Sequence, residues 1–216
     1  MINDLSKQSS IFNQYLSELR DKGIQKDSLR FRHNLERMGE IFAYEISKTL
    51  SYREVQTVTP LGVANSNVLV EQPVVGTILR AGLPLHQGLL RIFDQAENVF
   101  ISAFRKHHKD NSFDIQLEYL ASPSLENKTV ILCDPMLATG SSMIVAYKAL
   151  MQRGAPKHVH LVSVVASKQG VEYVKSNMPS TNYTLWVGVI DEELTAHAYI
   201  VPGLGDAGDL AFGEKV

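Results

Sequence analysis

The sequence has a single cysteine and a net charge of only −2, and each scarcity excludes a class of protein. One cysteine cannot form an internal disulfide, which fits a protein of the reducing cytoplasm. The near balance of charge gives no reason to expect broad binding to nucleic acids. No run of about 18 apolar residues occurs, and residues 1–10 are polar rather than signal-like, so we expect neither membrane insertion nor export.

The 216 residues otherwise have an ordinary globular composition, with 44% hydrophobic and 20% charged residues. This length suits one α/β domain, and we expect a single domain over 1–216. From residue 74 onward, strand patterns alternate with helical patterns, which is typical of a mostly parallel sheet flanked by helices. Residues 1–50 predict two amphipathic helices that form an N-terminal cover. Strand patterns at 52–58 and 67–71 predict a hairpin at the edge of the sheet.

Residues 130–142 combine the features of a site for a phosphorylated sugar. An apolar run that ends in Asp134 predicts a buried strand, which delivers a carboxylate to the edge of the sheet. A loop with three hydroxyls and Gly140 follows, and a helical pattern opens at Ser142. Free backbone N–H groups and the positive end of the dipole favour a phosphate at such a helix N-terminus. Ser and Thr are also common plain N-caps, and the loop lacks the Gly-Lys-Ser/Thr ending of a Walker motif.

Two further stretches have the chemistry of a binding site. Arg80 follows the apolar run 74–79, which predicts a guanidinium at the carboxyl end of a strand, where ligands of open α/β sheets collect. There it can bind diphosphate oxygens in bidentate fashion, while Gly82 lets the backbone approach closely. Residues 203–208 fit G-x-G-x-x-G, but too few residues follow for a dinucleotide-binding unit. We interpret this loop as a backbone that presents N–H and C=O groups to a flat base.

The cysteine and the paired histidines predict no chemistry of their own. Cys133 falls inside an apolar strand pattern and is expected to fill the core. His158 and His160 share one face of a predicted strand, and two histidines alone make a poor metal site, so we expect a structural role. His107 and His108 lie in a polar stretch and are expected to be solvated.

The motifs together resemble a known family. Residues 130–142 resemble the motif of type I phosphoribosyltransferases that binds 5-phosphoribosyl-1-diphosphate (PRPP), and residues 134–140 resemble its uracil phosphoribosyltransferase version. Residues 78–82 and 199–209 agree in the family's order, and Phe31-Arg32 and Tyr44-Glu45 extend the resemblance over nearly the whole chain. It implies the type I phosphoribosyltransferase fold: a mostly parallel sheet, a mobile β-hairpin arm at 105–114 and a small base-binding hood at 190–213. It also implies transfer of the phosphoribosyl group of PRPP to uracil, giving UMP and diphosphate in pyrimidine salvage.

The resemblance assigns roles to individual residues. The residues that it implies for PRPP binding are Arg80, Arg105, Asp134, Pro135, Met136, Leu137, Ala138, Thr139, Gly140, Ser141, Ser142 and Asp206. Asp134 is expected to hold ribose hydroxyls, the loop 138–142 the 5′-phosphate, and Arg80 and Arg105 the diphosphate. The residues implied for uracil binding are Ile200, Gly205, Asp206 and Ala207. Asp134, Arg105 and Asp206 are the expected catalytic residues.

The resemblance also implies a cofactor and partners. Mg²⁺ is expected to bridge diphosphate and ribose oxygens, bound through PRPP rather than by side chains alone. The expected partners are uracil and PRPP, with GTP as a candidate effector and a homodimer or higher homo-oligomer as the assembly. Arg32 is a candidate for an effector or subunit contact. We expect a cytoplasmic protein without nucleic-acid or membrane partners.

Three departures from the family's patterns bear on these expectations. Pro135 occupies the position of a second acid found in many type I phosphoribosyltransferases, as it does in the uracil branch. Ser141 replaces a glycine that is usual in that branch, and the arm after Arg105 is richer in histidine and lysine. One alternative is an RNA-binding regulator of pyrimidine operons on the same fold, although Pro135 and the net charge argue against it. Another is a phosphoribosyltransferase for a different base, such as a purine.

Overall fold

A computed structural model describes residues 1–107, 113–179 and 181–215, without the side chains of 103–107 and 113–116. The strands, in chain order, are β1 (Ile2–Asp4), β2 (Tyr52–Thr59), β3 (Gly62–Leu69), β4 (Val74–Leu79), β5 (Asn98–His107), β6 (Phe113–Ala121), β7 (Thr129–Cys133), β8 (Met136–Leu137), β9 (His158–Ser167), β10 (Tyr183–Asp191), β11 (Glu193–Leu194) and β12 (Ile200–Val201). The helices are α1 (Ile11–Arg20), α2 (Ser28–Ser47), α3 (Leu83–Ile92), α4 (Ser141–Leu150), α5 (Lys168–Asn177) and α6 (Ala207–Phe212).

The central sheet has the strand order β1-β10-β9-β7-β4-β5-β6, and β8 also pairs with β9. Its described pairings are parallel except that between β5 and β6, which is antiparallel. The predicted mostly parallel sheet is therefore confirmed. Because parallel strands end at the same edge, the residues that follow β4 and β7 come together there.

The alternation of side chains along the strands sends successive residues into two cores, one on each face of the sheet. On β7, Ile131 joins a cluster with Phe12 and Leu85 from the N-terminal helices and α3. Its neighbour Leu132 joins a second cluster with Ile144 of α4 and residues of α5. Helices therefore flank both faces, as the sequence predicted, and none of those in the described ranges is long and apolar enough to cross a membrane.

The predicted N-terminal helices begin at capping residues. Ser10 accepts a hydrogen bond from the Phe12 N–H, and the Asn13 side chain accepts one from the Ser10 N–H, which completes a capping box for α1. Asp27 caps α2 by accepting the Arg30 N–H at 3.1 Å. The segment 1–50 is not wholly helical, however, because β1 adds to the sheet beside β10. The sequence of β1 is short and polar, and it has too little periodicity to predict an edge strand.

The hairpin predicted at the edge of the central sheet forms, but in a different place. β2 and β3 pair with each other as a separate two-stranded sheet, with Leu61 fully exposed at the turn. β1 and β6 form the edges of the central sheet, and neither of them pairs with the hairpin. The prediction of the hairpin was therefore confirmed, and the prediction of its position was wrong.

Candidate active site

A cavity of about 650 Å³ lies at the carboxyl-end edge of the central sheet. Three segments that are far apart in the sequence form its walls: the residues after β4, the residues after β7, and the C-terminal segment. The predicted site residues in its lining are Arg80, Asp134, Met136, Ala138, Ser142, Ile200, Gly205, Asp206 and Ala207. The size is within the range of about 300–1,000 Å³ that is usual for small-molecule sites.

The loop at 138–142, which we call the phosphate loop, turns directly into α4. Gly140 has a φ of 81°, a left-handed conformation that favours glycine, and its carbonyl accepts the Ile144 N–H of the first helical turn. Ser141 is the first residue of α4, so the serine takes a helical conformation without strain. The Thr139 hydroxyl donates to Ser141 Oγ at 3.2 Å and accepts the Ser141 N–H at 3.4 Å. Of the loop residues, Ala138 and Ser142 line the cavity, and Thr139, Gly140 and Ser141 do not. The loop therefore places one hydroxyl and a helix N-terminus at the cavity.

The phosphate loop is supported from behind by the start of α5. The Ser167 hydroxyl donates to the Ala138 carbonyl at 2.5 Å and accepts the Gly170 N–H at 2.8 Å. A Cβ added to Gly170 would lie only 2.6 Å from the Leu137 carbonyl oxygen and would also overlap that of Ala138. Sequence reasoning missed Ser167 and Gly170, although a serine three residues before Gly170 was a visible N-cap signal.

Asp134 follows β7, where its main-chain N–H donates to the Val162 carbonyl at 3.0 Å. Its carboxylate lies in the cavity wall, and Oδ1 accepts the Met136 N–H at 3.4 Å. The preceding residue, Cys133, is fully buried, and burial raises the pKa of its thiol. The cysteine is therefore a core residue, as predicted, and is not a nucleophile at neutral pH.

Arg80 follows β4 through a cis Leu79–Arg80 peptide bond and reaches across the cavity to the C-terminal segment. Its Nη2 donates to Asp209 Oδ1 at 3.1 Å and to the Gly213 carbonyl at 3.3 Å. Gly82, two residues on, was expected to give the backbone access to a ligand. The structure gives a different reason: a Cβ there would lie 2.7 Å from the Ile78 carbonyl and 3.1 Å from the Cys133 carbonyl. Glycine is needed to pack this turn against the sheet.

Residues 203–213, the C-terminal loop, form the wall opposite the phosphate loop. Buried Asp191 anchors its start, because its carboxylate accepts the Gly203 N–H at 2.9 Å and pairs with Arg20 at 2.8 Å. Asp206 caps α6 by accepting the Asp209 N–H at 3.0 Å. Sequence reasoning assigned no role to Asp191, which is 12 residues from Gly203 in the chain.

The structure describes the side chain of Arg32 but only the backbone of Arg105. The Arg32 guanidinium donates to the Ala211 carbonyl at 2.7 Å, so it braces α6 within the same chain. The backbone of Arg105 lies in β5 opposite Ile115 of β6. Its side chain lies outside the described residues, and so do residues 108–112 of the arm predicted at 105–114. The described part of the cavity thus contains one of the two expected diphosphate-binding arginines, Arg80.

Comparison with known proteins gives a consistent result over almost the full length. The chain matches the family model described as "Uracil phosphoribosyltransferase" over residues 6–214. It is similar to a uracil phosphoribosyltransferase of Porphyromonas gingivalis, with 52% identity over 212 residues that cover 98% of each chain. One from Pyrococcus furiosus is 38% identical over 204 residues, which cover 93% of this chain and 85% of that one. A solved structure of an Aquifex aeolicus protein covers 100% of both chains with a TM-score of 0.87 and 29% identity.

Proposed function

The chain belongs to the uracil phosphoribosyltransferase family, and we propose that the residues lining its 650 Å³ cavity transfer the phosphoribosyl group of PRPP to uracil. The reaction breaks the bond between ribose C1 and diphosphate and forms a bond from C1 to uracil N1, which loses its proton, and it yields UMP and diphosphate. The single observation that carries the assignment of roles is the convergence of Arg80, Asp134 and Asp206 on one cavity.

The phosphate loop supplies the site for the 5′-phosphate of PRPP. Backbone N–H groups at the start of α4 and the hydroxyls of Thr139, Ser141 and Ser142 are donors suited to phosphate oxygens. Asp134 lies at the base of the same loop, and its carboxylate accepts hydrogen bonds from ribose hydroxyls. The other members of the loop, Pro135 to Ala138, set the spacing between carboxylate and phosphate donors.

Arg80 and Arg105 bind the diphosphate that leaves. The Arg80 guanidinium already contacts the carboxylate of Asp209, so its fork is oriented for an anionic partner. The transition state resembles an oxocarbenium ribose, and cationic donors placed around the departing diphosphate stabilise the charge that develops on it. Positioning and charge stabilisation then account for catalysis, and a covalent nucleophile is not required.

The C-terminal loop and the adjoining strand β12 recognise the base. Main-chain groups of Ile200, Gly205 and Ala207 pair with the polar edge of uracil, which needs a donor for O4 and an acceptor for N3–H. Cytosine reverses both positions, and an unpaired buried polar group costs about 1–3 kcal/mol. Gly205 has a φ of 92° and only Leu210 Cδ1, at 3.8 Å, near the position of a Cβ, so its backbone faces open space.

Mg²⁺ fits the donors at the cavity when PRPP provides most of the ligands. The described residues contain no group of three or more His, Cys, Asp or Glu side chains that could hold a metal by themselves. Asp134 and Asp206, whose carboxylates line the cavity, would complete the ligand set, because Mg²⁺ commonly binds phosphates together with one or two carboxylates. When bound, the ion would neutralise charge on the diphosphate.

The reaction itself is tested by steady-state turnover with PRPP and uracil, cytosine, hypoxanthine or guanine in competition. We expect turnover with uracil and exclusion of the other bases. No turnover with uracil, or tight specific RNA binding without UMP formation, would contradict the proposal. Rates with and without GTP, sedimentation, and fractionation of cells test the further expectations of GTP activation, a homo-oligomer and a cytoplasmic location.

Two substitutions test the assigned residues. Asp134→Asn and Arg105→Ala should each lower turnover by about 100-fold while the protein stays folded, because each removes a charge from the reacting region. Asp94→Asn and Arg53→Ala, at exposed positions outside the cavity lining, are the matched controls and should be unaffected. Unchanged kinetics in either test variant would remove that residue from the site.

A further inference from the structure

A second cavity, of about 470 Å³, lies at the opposite edge of the central sheet. Thr129, His158 and Thr184 contribute to its wall, and they stand at or next to the starts of β7, β9 and β10. β7 runs from this cavity to Asp134 at the candidate active site, so the two cavities lie at opposite ends of the same strands. Their linings share no residue. We call the second one the amino-edge cavity.

The fold fixes a hydrogen-bond donor in the amino-edge cavity. The indole N–H of Trp186 donates to Nδ1 of His160 at 3.0 Å, and burial lowers the pKa of His160 to about 3. The imidazole is therefore neutral at physiological pH, and its proton lies on Nε2 because Nδ1 is the acceptor. His160 is only 4% exposed and lines the cavity, and the described residues offer Nε2 no hydrogen-bond partner. The Nε2–H is therefore left to donate to an acceptor in the cavity.

The remaining wall indicates the shape and charge of that ligand. The ring of His158 lies 4.6 Å from that of His160, and its Nε2 is 3.0 Å from the Thr184 hydroxyl. The ring of His160 is tilted by 56° against that of His158 and by 53° against that of Trp186, so the three rings give this wall edges and faces that a flat heterocycle can contact. Ser51 and Thr129 add hydroxyls that either donate or accept.

Charge at the rim favours an anion. Lys157 is exposed in the cavity wall, and it has no carboxylate partner in the part of the chain that the structure describes. Glu71 also lines the cavity, but its carboxylate lies 3.2 Å from the Lys128 ammonium group, which offsets its charge. The cavity therefore has an exposed cation without a carboxylate partner among the described residues beside its ring side chains, and the N-terminal ammonium of Met1 adds a second positive charge to the lining.

We propose that the amino-edge cavity binds a planar heteroaromatic anion. An acceptor atom of its ring receives the His160 Nε2–H, and its carboxylate or phosphate group lies against Lys157. Nucleotides and heteroaromatic carboxylates share this chemistry. Because the two cavities share no residue, such a ligand does not compete with uracil or PRPP.

The only tryptophan of the chain makes a direct experiment possible. Trp186 lines the amino-edge cavity and is absent from the lining of the candidate active site, so its fluorescence reports on the former. The full-length protein is titrated with GMP as a nucleotide, with nicotinate as a heteroaromatic carboxylate, and with inorganic phosphate as a non-planar anion. We expect a saturable change with GMP or nicotinate below about 1 mM, and a much weaker one with phosphate.

Variants distinguish this binding from a fluorescence artefact. Lys157→Gln should weaken the binding about tenfold through loss of a charge-assisted hydrogen bond, and leave turnover with uracil and PRPP unchanged. Lys175→Gln, on the exposed side of α5, is the matched control and should bind normally. Thr129→Val tests the wall without disturbing the contact between Trp186 and His160, and it should also weaken the binding.

Asp134→Asn separates this proposal from that for the active site, because it should lower turnover and leave the titration unchanged. The absence of a saturable change with both planar anions at about 10 mM would overturn the proposal. So would binding that Lys157→Gln and Thr129→Val both leave intact, or equal affinity for phosphate.

Discussion

The phosphate loop and the C-terminal loop face each other across the candidate active site, and different interactions hold them. The phosphate loop packs against the main chain of α5, where Gly170 leaves no space for even a methyl group. The C-terminal loop is held by charged side chains: Asp191 binds the Gly203 N–H, and Arg80 binds Asp209. Packed backbone has no alternative partner, whereas a guanidinium or carboxylate can exchange its partner for a charged substrate. The proposed phosphate site is thus held in place by packing, and the opposite wall is held by contacts that can be exchanged.

Among the substitutions that test the contrast between the two loops, we expect Gly170→Ala to have the largest effect. The added Cβ would overlap the carbonyls of Ala138 and Leu137, so the phosphate loop must move. We expect kcat/KM for PRPP to fall about 100-fold, and overpacking to lower the free energy of unfolding by about 1–3 kcal/mol. Steady-state kinetics and urea unfolding measure the two effects.

Gly23→Ala is the control for this substitution. The Cβ at that position would meet only the flexible Asp21 side chain, at 3.2 Å, and its φ is −83°. Both measurements should stay close to those of the unchanged protein. Normal kinetics in Gly170→Ala would mean that the phosphate loop is not held by packing, and the contrast between the loops would be lost.

A smaller effect is expected from Asp191→Asn at the anchor of the C-terminal loop. Asparagine keeps an acceptor for the Gly203 N–H but leaves the Arg20 guanidinium without its carboxylate partner. We expect the free energy of unfolding to fall by about 1.5–3 kcal/mol, with a rise of about tenfold in KM for uracil. Glu192→Gln, at the exposed neighbouring position, is the control. A rise in KM for PRPP alone would show that Asp191 does not act through the base-binding wall.

A still smaller effect, in the favourable direction, is expected from Asp209→Asn. If Arg80 binds diphosphate as proposed, Asp209 competes with it. The ion pair between Asp209 and Arg80 is partly exposed, so it contributes about 0.2–1 kcal/mol. We expect KM for PRPP to fall by about threefold, measured at fixed uracil concentration. Glu172→Gln removes a comparable exposed ion pair on α5 and should have no effect. A large increase in KM would instead make Asp209 a residue that positions Arg80.

Low pH should weaken the support of the C-terminal loop through another residue, Glu18. Hydrogen bonds from Arg30, Asn34 and Gln14 lower the pKa of Glu18 from 4.5 to about 2. A lowered carboxyl pKa contributes stability that is complete above pH 4.5 and is lost as the pH falls towards 2. Nearby Gln25 connects these helices to the C-terminal loop by donating to the Leu204 carbonyl.

Urea unfolding across this pH range tests the contribution of Glu18. Glu18→Gln should show a smaller loss of the free energy of unfolding between pH 4.5 and about 2 than the unchanged protein. Glu45→Gln, which removes an exposed carboxylate paired with Lys48, is the control and should follow the unchanged protein. Equal pH dependence in all three proteins would show that the Glu18 carboxyl is not stabilised by its partners.

Much of the fold was predictable because its signals are local. The apolar run 74–79 predicted β4 with its observed bounds, and the amphipathic patterns within 1–50 predicted the first two helices. The edge strand β1 was missed, since three residues of polar sequence form a strand only when β10 offers them a partner. The position of the hairpin was wrong for a related reason, because edge positions are decided by all the strands together.

For the candidate site, the sequence by itself determined which segments have the chemistry of a phosphate, a diphosphate and a base site, because each segment encodes its own turn and donors. Only the tertiary structure decided what supports them. Ser167, Gly170 and Asp191 act on partners 12 or more residues away, and no local pattern specifies such a contact. The tertiary structure also created the amino-edge cavity, because Trp186 and His160 become neighbours only when β9 and β10 pair in register.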